Sequence, residues 1–187
     1  MRRILTVTLS LMAALFLFSC SSSRKSFVPF TKDLKARLEK ENIDLKQVQF
    51  YTDQKIILTR NLGEQKLAVT SGVVRLEKGQ YLNEVIIPAF TPGICESAEN
   101  ERMMISFEKG SNTLAFGPGS GYTFNEFSPY GAEWRNGTAA VAYDNNKYRA
   151  RCGSCQDLAS VTLVIKKSTL DKMERKSRTV KGRTVSK

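Results

Sequence analysis

The stretch "TAAVAYDNNKYRAR", residues 138–151, decides the fold. Its second arm sets Lys147, Arg149 and Arg151 alternately with Tyr148 and Ala150. Period-two alternation is the signature of a strand with one face turned inward. The first arm, Thr138 to Asp144, is rich in small and apolar residues, and Asn145-Asn146 supplies a turn between the two. The segment therefore reads as a β-hairpin.

Outward from this hairpin the same pattern recurs. "VQFYTDQKIILTR" (48–60) reads as two strands around Thr52-Asp53, and "KLAVTSGVVRLE" (66–77) as a long strand with a bulge at Gly72. Lys78-Gly79 turns it into "YLNEVIIPAF" (81–90), and Thr91-Pro92-Gly93 is the next turn. "RMMISFE" and "TLAFG" form a hairpin around Gly110-Ser111-Asn112; "YTFNEF" forms another with the segment after it; "SVTLVIKK" closes the body. Nine or ten short strands with turns every eight to twelve residues predict an antiparallel β-sandwich or small barrel. One short helix is expected before the sheets: Thr31 can cap it, Asp33 sits in its first turn, and Leu34 and Leu38 share a face up to about Glu41. Ser168-Thr169-Leu170-Asp171 has the shape of a capping box, so one or two helical turns should run to Lys176. "SRTVKGRTVSK" beyond it has too few apolar residues to fold alone, although its alternation suits pairing on a foreign sheet edge.

The chain opens "MRRILTVTLSLMAALFLFSCSSSRK". Arg2 and Arg3, an apolar run from Ile4 to Phe18 and Ser19 before Cys20 have the order of a secretory signal. The apolar run is shorter than the roughly twenty residues that span a bilayer. Leu17-Phe18-Ser19-Cys20 resembles the lipobox of bacterial lipoproteins, with Phe18 where a small residue is usual. The resemblance covers residues 1–20. It implies cleavage after residue 19, a diacylglyceryl group and further acylation on Cys20, and attachment to a membrane of the cell envelope. "SSSRK" then reads as a flexible tether, and the lack of an acidic residue beside Cys20 points to the periplasmic face of the outer membrane. The expected organisation is a signal peptide over 1–19, a lipidated tether over 20–29, a helix-plus-sandwich domain over 30–167 and a basic tail over 168–187.

The formal net charge is +11, yet the body is neutral. Residues 166–187 hold nine basic and two acidic side chains, the signal and tether hold four basic ones, and 16 of each sign remain for residues 26–165. Charge confined to the ends does not suit a nucleic-acid-binding body, and nucleic acid is not an expected partner of an envelope protein. Lys172, Arg175, Lys176, Arg178, Lys181 and Arg183 are the candidate contacts for an acidic envelope protein or polymer, or a solvated tail.

There is no histidine in the sequence. That removes the Ser-His-Asp triad, the Cys-His pair and nearly every catalytic zinc site. "CESAENER" (95–102) gathers Glu96, Glu99 and Glu101 in what reads as a connecting loop, without the spacing of a calcium loop. "GPGSG" (117–121) lacks the following helix and lysine of a phosphate cradle and reads as a turn. No cofactor and no metal site are expected.

Four cysteines are present. With Cys20 assigned to lipid, Cys95, Cys152 and Cys155 remain, too few for a four-ligand zinc site. Cys152-Gly153-Ser154-Cys155 has a Cys-x-x-Cys spacing, but a thioredoxin-type centre opens a helix, whereas strands flank this one. A structural disulfide is the better reading in an oxidising compartment. Cys152 with Cys155 is favoured by proximity; Cys95 with either remains open. Tyr122, Phe124, Phe127, Tyr130 and Trp134 form an aromatic run. Such residues are core or loop edges more often than ligand contacts, but Tyr122, Tyr130 and Trp134 are candidates for lining a glycan or lipid groove. The leading expectation is a non-enzymatic, monomeric, lipid-anchored accessory protein of an envelope assembly, with a glycan- or lipid-binding module as the alternative.

Overall fold

A computed structural model describes residues 26–63, 72–77, 79–110, 112–119 and 124–175. Thirteen strands form two open antiparallel sheets, mainly β as the patterning predicts, and the described strands do not close into a barrel. The first sheet runs β1 (Phe27–Pro29), β13 (Leu163–Lys166), β2 (Gln49–Thr52), β6 (Pro92–Glu99), β7 (Arg102–Ser106), β8 (Thr113–Pro118) and β9 (Phe127–Pro129). The second runs β10 (Ala132–Arg135), β11 (Thr138–Tyr143), β12 (Asn146–Cys152), β3 (Ile56–Asn61), β5 (Gln80–Ile87) and β4 (Val73–Glu77).

One hydrophobic cluster joins the two sheets. Phe50, Met103, Ile105, Leu114 and Phe116 come from the first, and Ile56, Leu58, Val85, Val141 and Tyr148 from the second. Phe30, Phe50 and Phe127 meet with ring centroids about 5 Å apart, close to the helix α1 (Lys32–Lys40). Thr31 caps α1 through its side chain, which accepts from Leu34 N, and Leu34 and Leu38 are buried. The start of α1 is tied down where Lys32 N donates to Asn125 O and Asn125 Nδ2 donates to Asp33.

The 138–151 hairpin turns one residue earlier than its sequence suggests. Tyr143 pairs with Asn146, so the two-residue turn is Asp144-Asn145, with φ of 49° and 54°. A two-residue hairpin of this hand needs positive φ at both central positions, which Asp and Asn tolerate. This register turns Val141, Tyr143, Tyr148 and Ala150 into the core and leaves Lys147 and Arg151 exposed. A second such turn, Asn136-Gly137, joins β10 to β11. Strand β10 escapes detection by patterning because all four of its residues are exposed, so it carries no alternation.

Three further expectations are corrected. Pro92 opens β6 and does not turn; the turn lies upstream, where Thr91 N and Oγ1 both donate to Pro88 O. Proline fits the first position of a strand because no N–H is then missing from the ladder interior. Glu96 and Glu99 lie in β6, not in a connecting loop, and only Asn100-Glu101 turns the chain into β7. The second helix, α2 (Lys167–Arg175), starts directly after β13, so Ser168 is a helical residue and not its cap. Leu170 and Met173 pack that helix on the core. Of the long strand expected over 66–77, residues 73–77 are β4, and 66–71 lie outside the described residues.

Candidate functional site

The β4–β5 hairpin is built to leave apolar groups in water. Val74 pairs with Asn83 and Leu76 with Tyr81, so these side chains share the face that further along β5 buries Asn83, Val85 and Ile87. The core ends before the hairpin does: Leu76 is 67 % exposed and Tyr81 40 %. The opposite face carries Val73, 66 % exposed, and Ile86, 50 % exposed, beside an Arg75–Glu84 ion pair at 2.9 Å. Strand β4 ends its sheet, with β5 as its one neighbour among the described residues. Gly72, at φ +85°, lies so close to β5 that a Cβ there would stand 2.5 Å from Glu84 O. An edge strand with apolar side chains on both faces offers main-chain hydrogen bonds and side-chain contacts to an added strand. The apolar run around Lys78-Gly79 is visible in the sequence, but its exposure depends on where the second sheet stops, which no local pattern records.

Of the aromatic candidates, Tyr130 and Trp134 are described. Tyr130 N bonds Ala115 O, which places it on the first sheet, whereas Trp134 belongs to β10 of the second. Gly131 carries the chain across, so tightly that a Cβ would stand 2.8 Å from both Ala139 Cβ and Ala140 O. Tyr130 is covered by the Arg102 guanidinium, 4.0 Å from its ring centroid, and its hydroxyl accepts from Arg102 Nη2 at 2.6 Å. Trp134 donates its indole N–H to Gly131 O at 3.1 Å. Both remain about one-third exposed, and Tyr122 lies outside the described residues. A hollow of about 580 Å³ beside Arg102 is lined by Glu99, Asn100 and Glu101, with Glu101 bridged to Lys32 at 3.0 Å. Charged and amide groups dominate that hollow, which is not the aromatic-walled groove expected of a lipid site. At the β10 bulge, Glu133 adopts φ +50° and meets Lys147 and Arg149. The hydrogen bond from Lys147, and its charge, hold the Glu133 carboxyl below the usual carboxylate range.

The cysteines separate as proximity favours. Cys152 and Cys155 are bonded, with Cα atoms 5.3 Å apart. Their loop docks on the β2–β3 turn, where Gly153 N donates to Lys55 O at 2.7 Å and Ser154 Oγ to Gln54 at 2.8 Å. A Cβ on Gly153 would stand 2.5 Å from Lys55 Cε. The first cysteine ends strand β12 instead of opening a helix, so the pair lacks the helix N-terminus that activates redox thiols. Cys95 is a free, buried thiol on β6, and desolvation pushes its pKa up to about 11. Among the described residues no group of three or more Cys, Asp or Glu side chains is placed to hold a metal ion.

Of the basic candidates, Lys172 is exposed on α2, and Arg175 is the last residue of that helix. Lys176, Arg178, Lys181 and Arg183 lie outside the described residues, as does Cys20. No helix among the described residues is long and apolar enough to cross a membrane. No family model, curated protein or solved structure matches this chain.

Proposed function

We propose that the protein is a lipid-anchored accessory protein of a cell-envelope assembly, facing the periplasm of a bacterium with an outer membrane. In this reading Cys20 holds it to the membrane, and the two sheets act as a sandwich that docks a partner. The observation that carries the docking role is the β4–β5 hairpin, whose Val73, Leu76 and Ile86 are all at least half exposed at a sheet edge that no further strand among the described residues covers. Soluble proteins protect such edges with charge, proline or a cover unless the edge is used. The absence of histidine, read from the whole sequence, supports a binding role over hydrolytic chemistry. The occupant this edge suits best is an extended, apolar strand of another envelope protein.

The test is a photo-crosslinking residue placed at Leu76 in living cells, compared with one at the exposed Arg135 of β10. A discrete protein adduct from position 76 and none from 135 is the expected result. Identical adduct patterns from both positions, or none from either, would refute docking at this edge.

A further inference from the structure

Away from the β4–β5 edge, the second sheet carries a cationic face. Cross-strand partners in an antiparallel ladder share a face. Arg135 pairs with Thr138, and Thr138 with Arg151; in the next rows Ala140 pairs with Arg149 and Ala142 with Lys147. Tyr148 and Ala150, which alternate with the three cations of β12, are buried in the core. Lys147, Arg149 and Arg151 therefore lie on the opposite side of the sheet, about 6.8 Å apart along the strand. Arg135 joins them from β10. Residues 26–165 are neutral in sum, so charge is separated here: Glu96, Glu99 and Glu101 lie on β6 and its turn in the first sheet.

One carboxylate shows what this face accepts. Glu133 bridges Lys147 and Arg149, and Arg149 Nη1 also donates to Glu133 O at 2.8 Å. The neighbouring gap has no such filler. Arg135 and Arg151 flank Thr138, about 10 Å apart across two strand spacings. Both are exposed, and neither makes an ion pair among the described residues. Two guanidinium forks on side chains of this length can close on one carboxylate between them. Trp134, 38 % exposed, lies between Glu133 and Arg135 in β10, its indole held by the hydrogen bond to Gly131 O. It is the one large apolar side chain exposed among the described residues of β10, β11 and β12. The apolar centre of a protein interface is therefore missing, whereas a fixed, half-wet indole beside cations suits a sugar ring that bears acid groups.

We propose that the cationic face of β10–β12 binds an acidic glycan, a chain of sugar rings carrying carboxylates. Arg135 and Arg151 take a carboxylate in the gap over Thr138, as Lys147 and Arg149 take that of Glu133, and Trp134 packs on a ring. The site uses neither the β4–β5 edge nor Cys20, so it stands or falls apart from the docking and anchoring readings.

The experiment takes the chain from residue 20 with Cys20→Ser, which keeps every described residue. Trp134 is the sole tryptophan of the sequence, so its emission reports on this face and not on the basic tail. The probe is an oligogalacturonate, titrated beside a neutral oligosaccharide of equal length and an oligoglutamate of equal charge. The oligogalacturonate should change Trp134 emission saturably, and its affinity should fall steeply as salt rises to about 0.5 M. Arg135→Gln with Arg151→Gln should weaken it about tenfold or more while leaving the thermal midpoint unchanged. A control with the same loss of charge at two exposed lysines elsewhere, Lys40→Gln with Lys109→Gln, should stay within about twofold. Equal losses in the two variants, or no change in Trp134 emission, overturn the proposal. Equal binding of the neutral sugar removes the role of charge and overturns it too. Tighter binding of the oligoglutamate, lost in the Arg135 and Arg151 variant, would assign the face to an acidic protein instead.

Discussion

Tyr148 and Asn83 make the sharpest stability prediction. Tyr148 lies on β12 and Asn83 on β5, on opposite sides of β3, and both are at most 1 % exposed. The Tyr148 hydroxyl donates to Asn83 Oδ1 at 2.6 Å. Tyr148→Phe keeps the ring and its packing on Tyr143, at 6.0 Å between centroids, and under the Arg60 guanidinium, at 5.3 Å. The substitution removes the hydroxyl alone, and with it a hydrogen bond to a buried amide oxygen. Losing such a bond inside the core costs about 2 kcal/mol. For a domain of this size that lowers the thermal midpoint by roughly 6 °C. Asn83→Leu alone should cost a similar amount by removing the same hydrogen bond from the other side. The double variant should cost less than the sum, with a coupling of about 1 kcal/mol or more. Urea unfolding of the four proteins, followed by Trp134 fluorescence, gives the cycle. Additivity within about 0.4 kcal/mol would refute the reasoning, because the hydrogen bond would then have no energetic weight.

The cysteines give two further expected outcomes. Replacing Cys152 and Cys155 with Ser should cost no more than about 2 kcal/mol, because the bond joins residues only three apart and constrains little of the unfolded chain; thermal melts with and without reductant measure it, and loss of folding would show a larger role. Cys95 should resist alkylation at about pH 8 in the folded protein and react fully in denaturant. Its raised pKa means that folding loses stability as pH climbs from about 9 towards 11, where the unfolded thiol ionises first; mass-resolved labelling against pH checks both points.

What could be read in the sequence was what local chemistry decides. The cap at Thr31, the inward Leu34 and Leu38, and the strands on either side of Thr52-Asp53 follow from side-chain pattern and turn residues alone. The Cys152–Cys155 bond followed from spacing. What failed had long-range causes. Pro92 looks like a turn residue until Tyr51 pairs with it across the sheet. Glu96 and Glu99 look like loop acids until Cys95 beside them is found buried in the core. The exposed β4–β5 edge depends on which strand ends the sheet, and strand order is not written in any single segment.

The pairing of β1 with β13 also governs when the protein can finish folding. Phe27 to Pro29 must wait for Val164 to Lys166, almost the entire described chain later. Strand β2 waits as well, because it lies between β13 and β6 in the sheet. A chain emerging from its N-terminus can therefore complete the β4–β5 and β7–β8 hairpins early, but the first sheet keeps an open gap until the last strand arrives. Contacts this distant slow the search for the native state and prolong the life of unpaired edges. Ribosome stalling just before residue 163 should yield a protease-sensitive, chaperone-bound chain, and release of the final strand should close it in one step.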